Sequence, residues 1–91
     1  MSRVHQPSAR ELLALNIRRL RAAYAWTQED LAWQADMDRS FLAHVERAAR
    51  NLSIDVIERL ALALEVPVAE LFRVPDVTPP RKRAPRREGS A

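Results

Sequence analysis

The sequence predicts an all-α fold: a compact five-helix domain over residues 8–74, followed by a disordered basic tail. Three observations predict it. Apolar residues recur at three- and four-residue spacing between Leu12 and Phe72, and no segment shows the sustained alternation of a strand. Four of the apolar runs are preceded by Ser, Thr or Asp, the residues that cap helix N-termini. From Pro75 onward Pro, Arg and Ser dominate and apolar side chains nearly vanish, a composition that cannot build a core.

Residues 1–7 read as a short arm. Ser8 is the first cap, and Glu11 three residues later gives a capping-box pattern. Leu12, Leu13, Ile17, Leu20 and Ala23 follow at helical spacing, so the first helix runs to about Ala23. Tyr24-Ala25-Trp26 is a break before Thr27, the second cap, with Glu29 and Asp30 set in the first turn against the helix dipole. This second helix ends near Ala35. Its inner face takes Leu31, Ala32 and Ala35, which turns Trp33 outward. Asp36-Met37 is a tight turn, and Asp tolerates the left-handed backbone region better than most residues. Asp38 caps a third helix with Phe41, Leu42 and Val45 as its stripe. Arg50-Asn51-Leu52 is a connector. Ser53 caps a fourth helix carrying Ile54, Ile57, Leu60, Ala61 and Leu64, and Pro67 suits the first turn of a last short helix with Leu71 and Phe72. The aromatic residues Tyr24, Trp26, Phe41 and Phe72 are assigned to the core.

Composition excludes several classes. A chain of 91 residues is too short for a two-domain enzyme. Without Cys there is no disulfide, zinc-thiolate site or thiol chemistry. His5 and His44 are far apart, metal-ligand spacing is missing, and one Gly cannot make a phosphate loop. An enzyme is therefore not expected, nor a cofactor or a metal. The longest apolar run is too short to span a membrane, and the N-terminus lacks a secretory pattern, so the expected location is cytoplasmic. Charge is unevenly placed. Residues 1–75 balance, and the net +3 lies in the tail with Arg81, Lys82, Arg83, Arg86 and Arg87. Residues 1–50 are basic in balance and 51–75 acidic, a polarity that suits an anionic partner.

The most informative stretch is Gln28 to Arg47, Q-E-D-L-A-W-Q-A-D-M-D-R-S-F-L-A-H-V-E-R. Two short helices are joined by a turn of about three residues. The small Ala32 falls where the helices must cross closely, and Leu31, Met37, Leu42 and Val45 point to a shared core. That is the arithmetic of a helix-turn-helix over about 27–47.

At this point residues 12–72 resemble the Cro and phage-repressor type of helix-turn-helix, the XRE family, with a lambda-repressor-like fold. The matching pieces are I-R-R-L-R (17–21), T-Q-E-D-L-A (27–32), D-R-S-F-L-A-H-V-E-R (38–47), R-N-L-S-I-D-V-I (50–57), L-A-L-A-L-E-V (60–66) and A-E-L-F (69–72). They run in family order at family spacing. The chain departs from the family at Asp36, Ala48 and Glu65, where Gly is usual, and at Leu52, where Pro is common.

The resemblance implies a DNA-binding regulator whose third helix lies in the major groove. Asp38, Arg39, Ser40, Ala43 and His44 fall at base-reading positions, and Arg39 is suited to a bidentate contact with guanine. Thr27 and Gln28 fall where the family holds a phosphate at the N-terminus of helix 2. Arg47, Arg50 and Asn51 follow helix 3 and are placed to hold further phosphates, which set register without reading sequence. Arg21 and Glu46 match a structural pair that buttresses the recognition helix. A homodimer is expected, since two recognition helices must span half-sites about 34 Å apart. Its face is placed on helices 4 and 5, around Leu52, Val56, Leu62 and Leu71. The tail either tracks phosphates or is a solubilising extension.

Two function classes remain open on this reading. One is a sequence-specific regulator of double-stranded DNA, a homodimeric repressor reading an inverted repeat, of bacterial, phage or plasmid origin. The other is an antitoxin that binds a protein toxin and autoregulates its operon. Either allows a protein partner, a toxin or another regulator, and neither involves a membrane.

Overall fold

In a computed structural model, residues 7–75 are described. The arm and the tail expected from the sequence lie outside these residues, apart from Pro7 and Pro75. Four α-helices follow in order, α1 (Ala9–Ala23), α2 (Gln28–Ala35), α3 (Arg39–Glu46) and α4 (Ile54–Leu64), then a 3₁₀ helix (Val68–Phe72). Among the described residues there is no strand.

The starts of the helices are set by local chemistry. Ser8 and Glu11 form a reciprocal capping box on α1, and Thr27 and Asp30 form another on α2. Ser53 accepts from the Val56 amide at the start of α4. Asp38 occupies the N-cap position of α3 but makes no side-chain cap bond. The expected last short helix is present, and it is of the 3₁₀ type. Five residues separate Pro67 from Arg73, too few for a full-length α-helix, and the bonds run i to i+3, as from the Glu70 amide to the Pro67 carbonyl at 2.9 Å. Pro67 is its N-cap, one position earlier than expected.

Four non-glycine residues adopt positive φ: Ala25 (59°), Asp36 (57°), Ala48 (58°) and Glu65 (61°). Three of these are the positions where the chain departs from the family's Gly. The reversals after α2, α3 and α4 keep the left-handed geometry and carry a Cβ in it.

One core joins all five elements. α1 packs on α3 and the 3₁₀ helix, α2 on α3 and α4, and α4 on the 3₁₀ helix. Ile17, Leu31, Leu42, Leu60, Leu64 and Leu71 are fully buried at its centre. Ala32 and Ala35 are buried where α2 meets its neighbours, and Met37, Trp26, Phe41 and Phe72 pack partly buried around the margin. Tyr24 is a correction, since it is 42% exposed rather than core. Its ring stacks on Trp26 with centroids 4.5 Å apart, and its hydroxyl donates to the Leu64 carbonyl at 2.8 Å. It straps the end of α1 to the end of α4 from outside. Leu71 is a second correction: it is fully buried between α1 and α4 and cannot line a dimer face.

Asn16 was not anticipated. It is fully buried, and its Nδ2 donates to the carbonyls of Leu71 and Arg73 at 3.1 and 2.8 Å. Its Oδ1 accepts from Arg19. A polar side chain inside the apolar stripe of α1 thus satisfies the carbonyl of the buried Leu71 and ties the end of the 3₁₀ helix to α1.

Candidate nucleic-acid interface

The interface is built on the angle between α2 and α3. The α2 helix stops at Asp36, whose left-handed conformation lets the Met37 amide reach the Ala32 carbonyl at 2.9 Å. Arg59 Nη1 donates to the Asp36 carbonyl from α4. The chain then enters α3 at Arg39. Leu42, Val45 and Glu46 form the buried side of α3. Arg39, Ser40, Ala43, His44 and Arg47 fall at i, i+1, i+4, i+5 and i+8, so they share the other side. Arg39, Ser40 and Asp38 are exposed, while Ala43 and His44 are half-buried. Among the described residues Arg39 has no hydrogen bond or ion pair within the protein. His44 is tied to Arg47, whose Nη2 lies 2.8 Å from the imidazole Nδ1.

Behind this surface sits a buried ionic knot. Arg21 reaches from α1 and grips the Glu46 carboxylate with two parallel bonds, Nε to Oε2 at 2.7 Å and Nη2 to Oε1 at 2.9 Å. Its third nitrogen donates to the Trp26 carbonyl. The bond to Glu46 holds the Arg21 guanidinium even further above its ordinary pKa, against a smaller opposing effect of burial. Gln28 Nε2 also donates to Glu46 Oε1, at 3.0 Å. Glu46 itself is only 3% exposed. Arg18 donates through Nη1 to the Glu46 carbonyl. One residue at the end of α3 is therefore held on both its carboxylate and its backbone, by α1 and α2 together. Arg18 was missed in the sequence, although its place three residues before Arg21 puts both on one face of α1.

The residues expected at phosphates are arranged along two edges. At α2, Thr27 is committed to its cap, and Gln28 keeps one amide N–H beyond the one given to Glu46. After α3, Arg47, Arg50 and Asn51 are all exposed. Arg50 lies over the Phe41 ring, 5.9 Å from its centroid. Asn51 Oδ1 accepts from Arg10 Nη2 at 2.5 Å. Of the expected dimer-face residues, Leu62 is 73% exposed and Leu52 and Val56 are half-buried against the core. Ile54, 74% exposed, stands on the same helix. Among the described residues no group of His, Asp and Glu is arranged to hold a metal, and no helix is long and apolar enough to cross a membrane.

Comparison with known proteins agrees with this geometry. The profile of the helix-turn-helix domain family matches residues 12–73. A hypothetical transcription factor of Neisseria meningitidis is 39% identical over 66 residues, covering 72% of this chain and 62% of the relative. The chain thus accounts for less than two thirds of that protein's length. A crystal structure of the hypothetical transcription factor NHTF from Neisseria has a TM-score of 0.73 at 35% identity, covering 82% of this chain and 90% of the other. The restriction-modification controller protein C.AhdI from Aeromonas hydrophila has a TM-score of 0.67 at 40% identity, over 69% of this chain and 96% of its own. The controller protein C.Esp1396I, solved as a tetramer in complex with its natural 35 base-pair operator, has a TM-score of 0.66 at 31% identity, over 74% and 88% of the two chains. With a helix pair, a buttressed third helix and these relatives, the chain belongs to the helix-turn-helix family of DNA-binding transcriptional regulators, of the Cro and phage-repressor type.

Proposed function

We propose that the protein is a homodimeric repressor that reads an inverted repeat in double-stranded DNA with α3 in the major groove. The observation that carries this reading is the contrast across α3. Its inner side is locked through Glu46 to α1 and α2, while Arg39 and Ser40 stand exposed and Arg39 has no partner among the described residues. A rigid helix with an unengaged guanidinium in its first turn is suited to guanine O6 and N7. Ser40 exchanges a hydrogen bond with either kind of base edge, Ala43 offers a methyl contact, and Asp38 can accept from cytosine N4. His44 and Arg47 act together at the far end of the helix. Thr27, Gln28, Arg47, Arg50 and Asn51 hold the sugar-phosphate backbone and set register.

The dimer face is assigned to α4, through Leu62 and Ile54 with Val56 and Leu52 at its edge. The C.Esp1396I tetramer on its operator supports an oligomer as the binding form. A transcription factor and two controller proteins as relatives favour a regulator over a toxin-masking partner. They also favour control of a restriction–modification operon among the possible regulatory roles. The basic tail adds non-specific phosphate affinity on this reading.

Selection of bound duplexes from a random DNA pool tests the proposal. Enrichment of an inverted repeat with half-sites about one helical turn apart is the expected result. Binding without enrichment, lost uniformly as salt rises, would replace sequence reading with general phosphate affinity.

A further inference from the structure

The arginines divide by the company they keep. Arg19 and Arg73 hold Glu70 beside the 3₁₀ helix, and Arg21 holds Glu46. Among the described residues, Arg10, Arg18, Arg39, Arg47 and Arg50 have no carboxylate partner, and all lie on α1, α3 or the connector that follows α3. The remaining one, Arg59, donates to a backbone carbonyl from α4. The two on α1 are fixed in place by neutral acceptors. Arg18 holds the Glu46 carbonyl, where the connector begins, and Arg10 holds the Asn51 side chain, near its end. A carbonyl or amide oxygen orients a guanidinium without neutralising it.

From this segregation we infer that Arg10 and Arg18 are phosphate ligands, which extend the DNA footprint from the helix pair onto α1. The inference rests on the DNA-binding reading above. Each guanidinium has five N–H groups and shows only one bonded within the protein, so a ready-oriented edge remains for a phosphate oxygen. Arg10, Arg50 and Asn51 line one groove together with Leu13, Leu52 and Phe72, so two cationic residues border the same depression. Because Arg10 occupies the Asn51 oxygen, the Asn51 NH₂ is turned away from it and presented as a donor. Arg18 does a similar service for the end of α3, fixing the backbone from which Arg47 departs. Both residues thus bind phosphate themselves and position the neighbours that do.

The test is the salt dependence of binding to the selected duplex, measured for the full chain, for the alanine, lysine and glutamine replacements of Arg10 and of Arg18, for Arg47→Ala with and without Arg18→Ala, and for Arg73→Ala. A positioning role of Arg18 would act through Arg47, so a direct contact is one that flattens the slope further when Arg18→Ala is added to Arg47→Ala, and a positioning role alone adds nothing there. Arg10→Ala and Arg18→Ala are each expected to flatten the slope of log K against log salt by about 0.9. The ratio of specific to non-specific affinity should stay constant. Arg18→Lys should restore the slope, and Arg73→Ala should leave it unchanged. Unchanged slopes in both α1 variants, with circular dichroism showing them folded, would overturn this inference alone. If an alanine variant fails to fold, the lysine and glutamine replacements at the same position decide: a wild-type slope with lysine combined with a flattened one with glutamine is required. Failure of the unsubstituted chain to bind any duplex would instead overturn the DNA-binding proposal, and this one with it.

Discussion

Arg39 and Arg21 stand on the same helical frame under opposite conditions. Arg21 is committed to Glu46 and the Trp26 carbonyl, whereas Arg39 is exposed and has no partner among the described residues. Arg39→Ala should therefore leave the fold intact and remove about 1–3 kcal/mol of discrimination at one base pair. Titration against operator duplexes substituted one position at a time checks this, and an unaltered base preference would remove Arg39 from the reading surface. The left-handed residues differ among themselves as well. Asp36 has a short polar side chain that suits this region, but Ala48 has only a Cβ to crowd the following carbonyl. Ala48→Gly is expected to raise stability by about 0.5–1 kcal/mol, and Asp36→Gly by less. Thermal midpoints would show the order. Residue roles that depend on near neighbours were legible in the sequence, as at Ser8, Thr27 and Asp36. Asn16 was not, because the carbonyls it serves belong to Leu71 and Arg73, far along the chain.

Two clamps hold elements to one another. In the first, Arg21→Ala would strand the Glu46 carboxylate beneath α3 with only Gln28 and solvent at its edge. Breaking a buried pair in this way costs about 3 kcal/mol or more, and chemical denaturation should show a loss of that order. The second clamp joins α1 to the 3₁₀ helix. Hydrogen bonding from Arg19, aided by Arg73, holds the Glu70 carboxyl below its ordinary 4.5. A carboxyl depressed on folding contributes stability that is complete above its unfolded value and is lost as pH falls through the lower folded value. Thermal midpoints should therefore fall on acidification below about 4.5, and Glu70→Gln should lessen that fall. A Glu70→Gln profile that matches the unsubstituted one would deny the clamp its part. Element boundaries were readable because caps and helix stops are local. The type of the last element was not: apolar spacing places Leu71 and Phe72 on a short helix but cannot tell a 3₁₀ helix from an α-helix. It also cannot show that Leu71 points inward, which packing against α1 and α4 decides.

At the scale of the molecule, the arginines without a carboxylate partner among the described residues lie mostly on α1, α3 and the connector after it, whereas α4 carries the exposed aliphatic side chains Ile54 and Leu62. If α4 is the dimer face, Leu62→Glu should weaken self-association by about tenfold or more while leaving the monomer folded, because Leu62 is 73% exposed. Sedimentation over a concentration series reads this directly, and an unchanged association constant would move the dimer face elsewhere. The polarity of the whole was legible as a shift in charge balance along the chain. Its sharper form, in which carboxylates silence some arginines and leave others free, was not, because it depends on which side chains meet in space. Tryptophan placement shows the same contrast between inside and outside. Trp26 is half-buried under the Tyr24 ring, while Trp33 is 83% exposed on α2. The protein thus carries two natural fluorophores in unlike surroundings: emission from Trp26 shifts when the chain unfolds, and Trp33 is open to an aqueous quencher in the native state. With Trp33→Phe the remaining signal follows folding, and with Trp26→Phe it follows whatever approaches the outer side of α2.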